Sequence, residues 1–244
     1  LGADSDALTK ARAFQFVELG ENGAASAGGS RSSAHLLFRA MFREAQDFAT
    51  GRDAFDDGLL RAEDAKVLQS VLRGEQRLLV RVEAANDILR VLELKRDYPA
   101  IKMVLVGVSE GWRVADRIAA SGVPVIASAL NDLPATFELL GATQSNIGRM
   151  KDAGVKVSIG MIDDRDSHQL RYTTQYAGNL VSLQKVPRAT GLTWDEAFAA
   201  ISSGPAEAMG MGDKLGSLKA GRVGDVVVWD GDPLELSSAP VSVY

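Results

Sequence analysis

Any chemistry in this chain has to be built largely from oxygen donors. The sequence holds two histidines, His35 and His168, and no cysteine, so neither a thiolate metal site nor a disulfide framework is available. Glu83, Asp163, Asp164 and Asp166 can be drawn as a carboxylate cluster suited to magnesium or calcium, or equally as a solvated acidic loop. His35 stands beside Leu36 and Leu37 on an amphipathic stretch, where a half-buried structural imidazole is the simple explanation. His168, in DDRDSHQLRY, is placed to line a ligand-binding mouth but has no histidine neighbours with which to share a metal. Nucleophilic catalysis has no support, because no GxSxG elbow occurs and Ser109 and Ser167 lack a placed base. The run GENGAASAGGSRSS lacks the GxxxxGK[ST] spacing of a phosphate loop and reads as a mobile loop. Asp53, Asp56 and Asp57, in GRDAFDDG, do not follow the EF-hand order and read as a solvated linker.

Composition narrows the partners. A chain of 244 residues with 46% hydrophobic and 24% charged residues can bury the core of a large soluble domain. Its net charge of -5 offers no basic footprint for nucleic acid. No apolar run approaches the roughly 18 residues that span a bilayer. The opening LGADSDALTKARAF contains neither a signal peptide nor a recognisable start, so an N-terminal portion is expected to precede it. The compartment, cytoplasmic or periplasmic, stays open.

The elements that must position these residues alternate. Ala13 to Leu19 predicts a strand, and Ser33 to Ala49 a helix with Leu36, Leu37, Ala40, Met41 and Ala45 on one side. A helix over Arg61 to Arg73 precedes a buried strand, Arg77 to Val82, and a helix from Asn86 to Asp97. The unit then repeats: strand Lys102 to Val106 and helix Glu110 to Ala120, which Ser109 could cap; strand Pro124 to Ala127 and helix Gln144 to Ala153; strand Val155 to Gly160 and a long segment Gln169 to Leu183. Apolar strands alternating with amphipathic helices indicate a parallel α/β sheet. About five such units are present where a closed (β/α)8 barrel has eight strands.

The stretch Thr190 to Pro233, TGLTWDEAFAAISSGPAEAMGMGDKLGSLKAGRVGDVVVWDGDP, has the clearest local grammar. Thr193 and Glu196 have capping-box spacing, a second short helix follows, and Asp225 to Trp229 predicts a β-branched strand seeking burial. This stretch resembles the C-terminal signature of the amidohydrolase superfamily, in particular imidazolonepropionase-like and prolidase-type members. The resemblance implies the C-terminal part of a (β/α)8 barrel, roughly strands 4 to 8 over residues 1–212, with residues 213–244 joining a small β-sandwich.

It also implies a metal site: histidines on the first, fifth and sixth strands, a lysine or carboxylate on the fourth and an aspartate on the eighth, activating water for hydrolysis. Relatives write a fifth-strand end like HAHRADDI where this chain has RVEAANDI, so Arg81 and Glu83 stand at the histidine positions. Gly107 stands at the sixth-strand histidine, and Ile162 at the eighth-strand aspartate unless a one-residue slip returns Asp163. Glu21, in GEN, matches the family pattern at the fourth strand.

Two expectations follow. In one, the chain is a degenerate amidohydrolase, a pseudoenzyme with its metal site mostly lost, serving as a structural or regulatory subunit or binding a ligand at a mouth lined by His168, Arg81 and Glu110. In the other, it is an active hydrolase of C–N bonds in cyclic amides or dipeptides, holding zinc or another divalent metal through Glu21, Glu83 and Asp163 with ligands from a preceding segment. Association with that segment or with a homologous chain, as a homo- or hetero-oligomer, is expected because an incomplete barrel exposes strand edges.

Overall fold

The computed structural model describes residues 12–51, 58–162 and 169–244. Two compact units divide the chain: Leu1–Val80 with Leu94–Met103, and Arg81–Glu93 with Val104–Tyr244. Strands β1 (Phe14–Glu18), β2 (Arg77–Val82), β3 (Met103–Gly107), β4 (Val125–Ala127) and β5 (Val157–Ile159) follow chain order in one five-stranded sheet. β4 pairs in parallel with β3 and with β5, with Leu105 opposite Val125 and Val125 opposite Val157. Sequential parallel strands connected by helices are the order of a (β/α)8 barrel, of which this chain carries a part. All of β3 is buried, as are Leu78, Leu79, Val80 and Val82 of β2, which is why these strands read as continuous apolar runs.

In the first unit, α2 (Arg31–Ala49) packs on α3 (Ala62–Leu72). Ser30 caps α2 by accepting from the Ser33 N–H at 3.0 Å. Ala45, Leu60 and Ala65 form a core with Met41, Phe48, Leu68 and Leu72 around it, and the Phe38 and Phe42 rings meet edge to face at 5.0 Å. The buried stripe of α2 runs through Ala34, Phe38, Phe42 and Ala45, and Leu36 is 65% exposed. Of the stripe predicted through Leu36, Leu37, Ala40, Met41 and Ala45, Ala45 is buried and Met41 packs on the core, whereas Leu36 faces out and Phe38 and Phe42 take the interior. His35 is half-buried and makes an interaction of its own. The stretch expected as a mobile loop begins instead as helix α1 (Gly20–Ser26). Of the expected linker, residues 52–57 lie outside the described residues.

In the second unit, the helix expected over Glu110 to Ala120 is broken into a 3-10 turn, Gly111–Arg113, and α5 (Ala115–Ser121). Ser109 caps neither, because its hydroxyl and amide are engaged elsewhere. Gly122, at φ 67, closes α5 in the left-handed conformation that glycine tolerates. α6 (Asn146–Asp152) and α7 (Thr173–Ser182) follow, and α8 (Trp194–Ile201) carries the full capping box between Thr193 and Glu196. α9 (Ser203–Ala208) leads to β6 (Val227–Trp229), which pairs antiparallel with β7 (Pro240–Val243). β6 was expected to be buried. Val227 and Val228 are instead 44% and 45% exposed, because a strand's side chains are buried by what packs on the faces of its sheet and not by its pairing.

Candidate functional site

Parallel strands deliver their C-terminal residues to one side, and the second unit gathers there the ends of β2, β3, β4 and β5. Glu83 follows the last residue of β2 and is 7% exposed. Both donors of Ser109 converge on its Oε2: the backbone N–H at 3.0 Å and the hydroxyl at 2.7 Å. Asn131, beyond β4, donates from Nδ2 to the Ser109 hydroxyl at 3.1 Å. The Arg81 guanidinium lies 3.5 Å from Glu83 Oε1 and also donates to the Ile162 carbonyl at 3.4 Å. Burial pushes the Glu83 carboxyl above its ordinary value and the nearby Glu138 carboxylate adds to the rise, while the Ser109 hydrogen bonds and the Arg81 charge hold it back.

The backbone beneath Glu83 is unusual. Gly107 has φ 89 and Val108 φ 60, and Val108 is fully buried. A β-branched residue in the left-handed region costs about 1–3 kcal/mol and persists only where its surroundings hold it. Here they do. The Val108 N–H donates to the Val82 carbonyl at 2.8 Å, its carbonyl accepts from Asn146 Nδ2 at 2.9 Å, and the Glu110 N–H donates to the Glu83 carbonyl at 3.0 Å. Glu110 Oε2 in turn accepts from the N–H of Ala85, the first residue of α4 (Ala85–Asp97), at 3.0 Å, where a carboxylate meets the positive end of the helix.

The residues singled out from the sequence are placed as follows. Arg81 and Glu83 touch, and Glu83 covers Gly107. Ile162 contributes its carbonyl to Arg81, and Glu110 caps α4, with Arg113 3.8 Å from its other oxygen. Glu21 sits in the first turn of α1, in the other compact unit. Asp163, Asp164, Asp166 and His168 lie outside the described residues. Asn131, Glu138 and Asn146 were not foreseen, because nothing in their local spacing marks a polar residue whose partner is tens of residues away.

Residues 98–243 match the sequence profile of the Amidohydrolase family. The chain belongs to that family. This amidohydrolase chain is 31% identical over 127 residues to an imidazolonepropionase of Bacillus velezensis, which covers 52% of the chain and 27% of that protein. Over 54 residues it is 48% identical to the amidohydrolase tasK of Hapsidospora irregularis, 22% of this chain and 6% of that one. Its fold superposes on an amidohydrolase from Thermotoga maritima with a TM-score of 0.80 at 20% identity, over 95% of this chain and 61% of the other. The chain thus spans less than two thirds of each of these proteins.

Amidohydrolase chemistry implies a divalent ion, so the donor set decides whether these residues suit one. Two donors already converge on Glu83 Oε2 and a guanidinium lies beside Oε1. Gly107 and Ile162 bring no side-chain donor, and Arg81 brings a fixed positive charge. These residues do not fit a divalent cation. Among the described residues no group of three or more His, Cys, Asp or Glu is placed to hold one.

Proposed function

We propose that this amidohydrolase chain is a non-catalytic homologue in which the strand ends that would carry a metal are held together by side chains alone. The observation that carries the proposal is the closed set of contacts at Glu83, with Ser109 on one carboxylate oxygen and Arg81 beside the other. Both Ser109 donors take up one carboxylate oxygen, and the guanidinium beside the other repels a cation. In this role the chain acts as a structural or regulatory subunit beside an active homologue, or holds a small ligand at its mouth, as a homo- or hetero-oligomer. The test is elemental analysis of purified protein together with a hydrolysis screen over cyclic amides and dipeptides. The expected result is far less than one zinc per chain and no turnover above background. Two stoichiometric zinc ions, or turnover abolished by a chelator, would overturn the proposal.

A second reading is favoured by one observation, a buried carboxyl with a raised pKa at a strand end, which is where a proton-transferring group would stand. It makes the chain part of an active C–N hydrolase for cyclic amides or dipeptides, with a site for zinc or another divalent metal completed by ligands from a preceding segment. The similarity to imidazolonepropionase supports a cyclic amide substrate in that case. An intact HxH on the first strand of the full protein, with metal content that falls in the E83A variant, would favour it.

A further inference from the structure

Gly107 and Glu83 are two positions at which the family pattern places separate metal ligands, yet here they share one volume. A Cβ built on Gly107 would lie 2.8 Å from Glu83 Oε2, 2.6 Å from its carboxyl carbon and closer still to Oε1. No side chain fits at 107 while Glu83 keeps its pose, and the φ of 89 there excludes one for conformational reasons as well. The turn that starts at Gly107 continues through the left-handed Val108 to Ser109, whose amide and hydroxyl both end on Glu83 Oε2. Asn131 then extends the tie to the segment after β4.

We infer that Glu83 is a latch that holds the Ser109 end of the Gly107–Ser109 turn, binding the C-terminal ends of β2 and β3 to each other, and that the bare position at 107 exists to admit it. The latch rests on geometry and does not need the non-catalytic reading to be correct. Opening it removes both Ser109 contacts and leaves the strained Val108 held only by the Val82 and Asn146 hydrogen bonds and by the backbone tie of Glu110 to Glu83. The latch is therefore a conformational device: whatever draws the carboxylate away from Ser109 loosens the Ser109 end of the turn.

The experiment is a double-mutant cycle of Glu83→Ala and Gly107→Ala, measured by thermal melting in the presence of EDTA, with amide hydrogen exchange on the Glu83→Ala protein. Gly107→Ala is expected to lower Tm by roughly 5–10 °C in the native background and by clearly less when Glu83 is already alanine. Equal losses in the two backgrounds would overturn the inference. The Ser109 amide is expected to exchange at least ~10-fold faster in Glu83→Ala while the Val80 amide, within β2, keeps its protection; an unchanged Ser109 rate would also overturn it. Glu83→Gln, which keeps an acceptor in place, should restore the Ser109 protection. This readout needs only the single variants, so it decides the matter even if the Gly107→Ala protein does not fold. Repeating the melts with zinc separates the two proposals: a zinc-dependent rise in Tm counts against the non-catalytic reading, and the coupling measured in EDTA still decides the latch.

Discussion

The tail of the chain and the strand-end mouth are both marked by family membership, and they have met different fates. From Thr193 to Ala208 the structure follows local rules: a capping box opens α8, Trp194 stacks on Phe198 at 5.1 Å, and α9 follows directly. At the mouth the contacts join residues far apart in the chain, Glu83 to Ser109 and Val108 to Asn146. Scaffold contacts are many and individually small, so they resist drift. A strand-end network depends on a few long-range contacts acting together, so a single replacement there disturbs all of them.

The comparison can be broken where the tail docks. Gly148, in α6, faces the Thr190 carbonyl carbon at 2.6 Å and the Gly191 carbonyl oxygen at 2.8 Å from a hypothetical Cβ, and the Thr190 N–H donates to Ser145 at 3.0 Å. Both partners are backbone and cannot swing away. Gly148→Ala is expected to cost about 3 kcal/mol, the largest effect here, seen as a matching fall in the urea midpoint; a loss under about 1 kcal/mol would show that the tail is not rigidly seated.

At the mouth, Glu83→Ala leaves the Ser109 donors and the Arg81 charge without their buried acceptor and is expected to cost about 2 kcal/mol. Equilibrium unfolding measures it. Thr193→Ala removes the side-chain half of the capping box and should cost about 1 kcal/mol by the same measurement. If the two losses came out in the reverse order, the tail and not the mouth would be the more interdependent region.

A smaller effect concerns pH. The folded carboxyl of Glu83 titrates above its ordinary value of 4.5, so its contribution favours the folded state fully below pH 4.5 and is lost as pH rises through the folded value. Glu83→Gln, which cannot ionise, should flatten this part of the stability profile, with the native protein losing ground to the variant toward neutral pH. Parallel profiles would show that Ser109 and Arg81 compensate the burial in full. The smallest effect is a control: Arg73→Ala removes an exposed ion pair with Glu75, 2.7 Å in length, and should leave Tm unchanged.

Much of the fold was legible in the residues. The strand Arg77–Val82 is found where its apolar run predicts it, and the Thr193 and Glu196 cap forms as its spacing requires, because both are settled within a few residues. The face of α2 was not legible: Leu36 and Phe38 are alike apolar, and only the packing of neighbouring elements, α1 and α3 among them, decides which of them is covered. Nor was the break in the helix after Ser109. Nor was the engagement of Ser109 by an acceptor 26 residues earlier in the chain.

The sequence by itself determined the family and the alternation of strands and helices. Those are matters of pattern and identity, readable along one dimension. Only the tertiary structure decided what the strand-end residues do, that Glu83 lies over the bare Gly107 and draws in Ser109 and Arg81. Parallel strands bring their ends together from distant parts of the chain, so the chemistry of a strand-end site is set by the register of the sheet and not by spacing in the sequence.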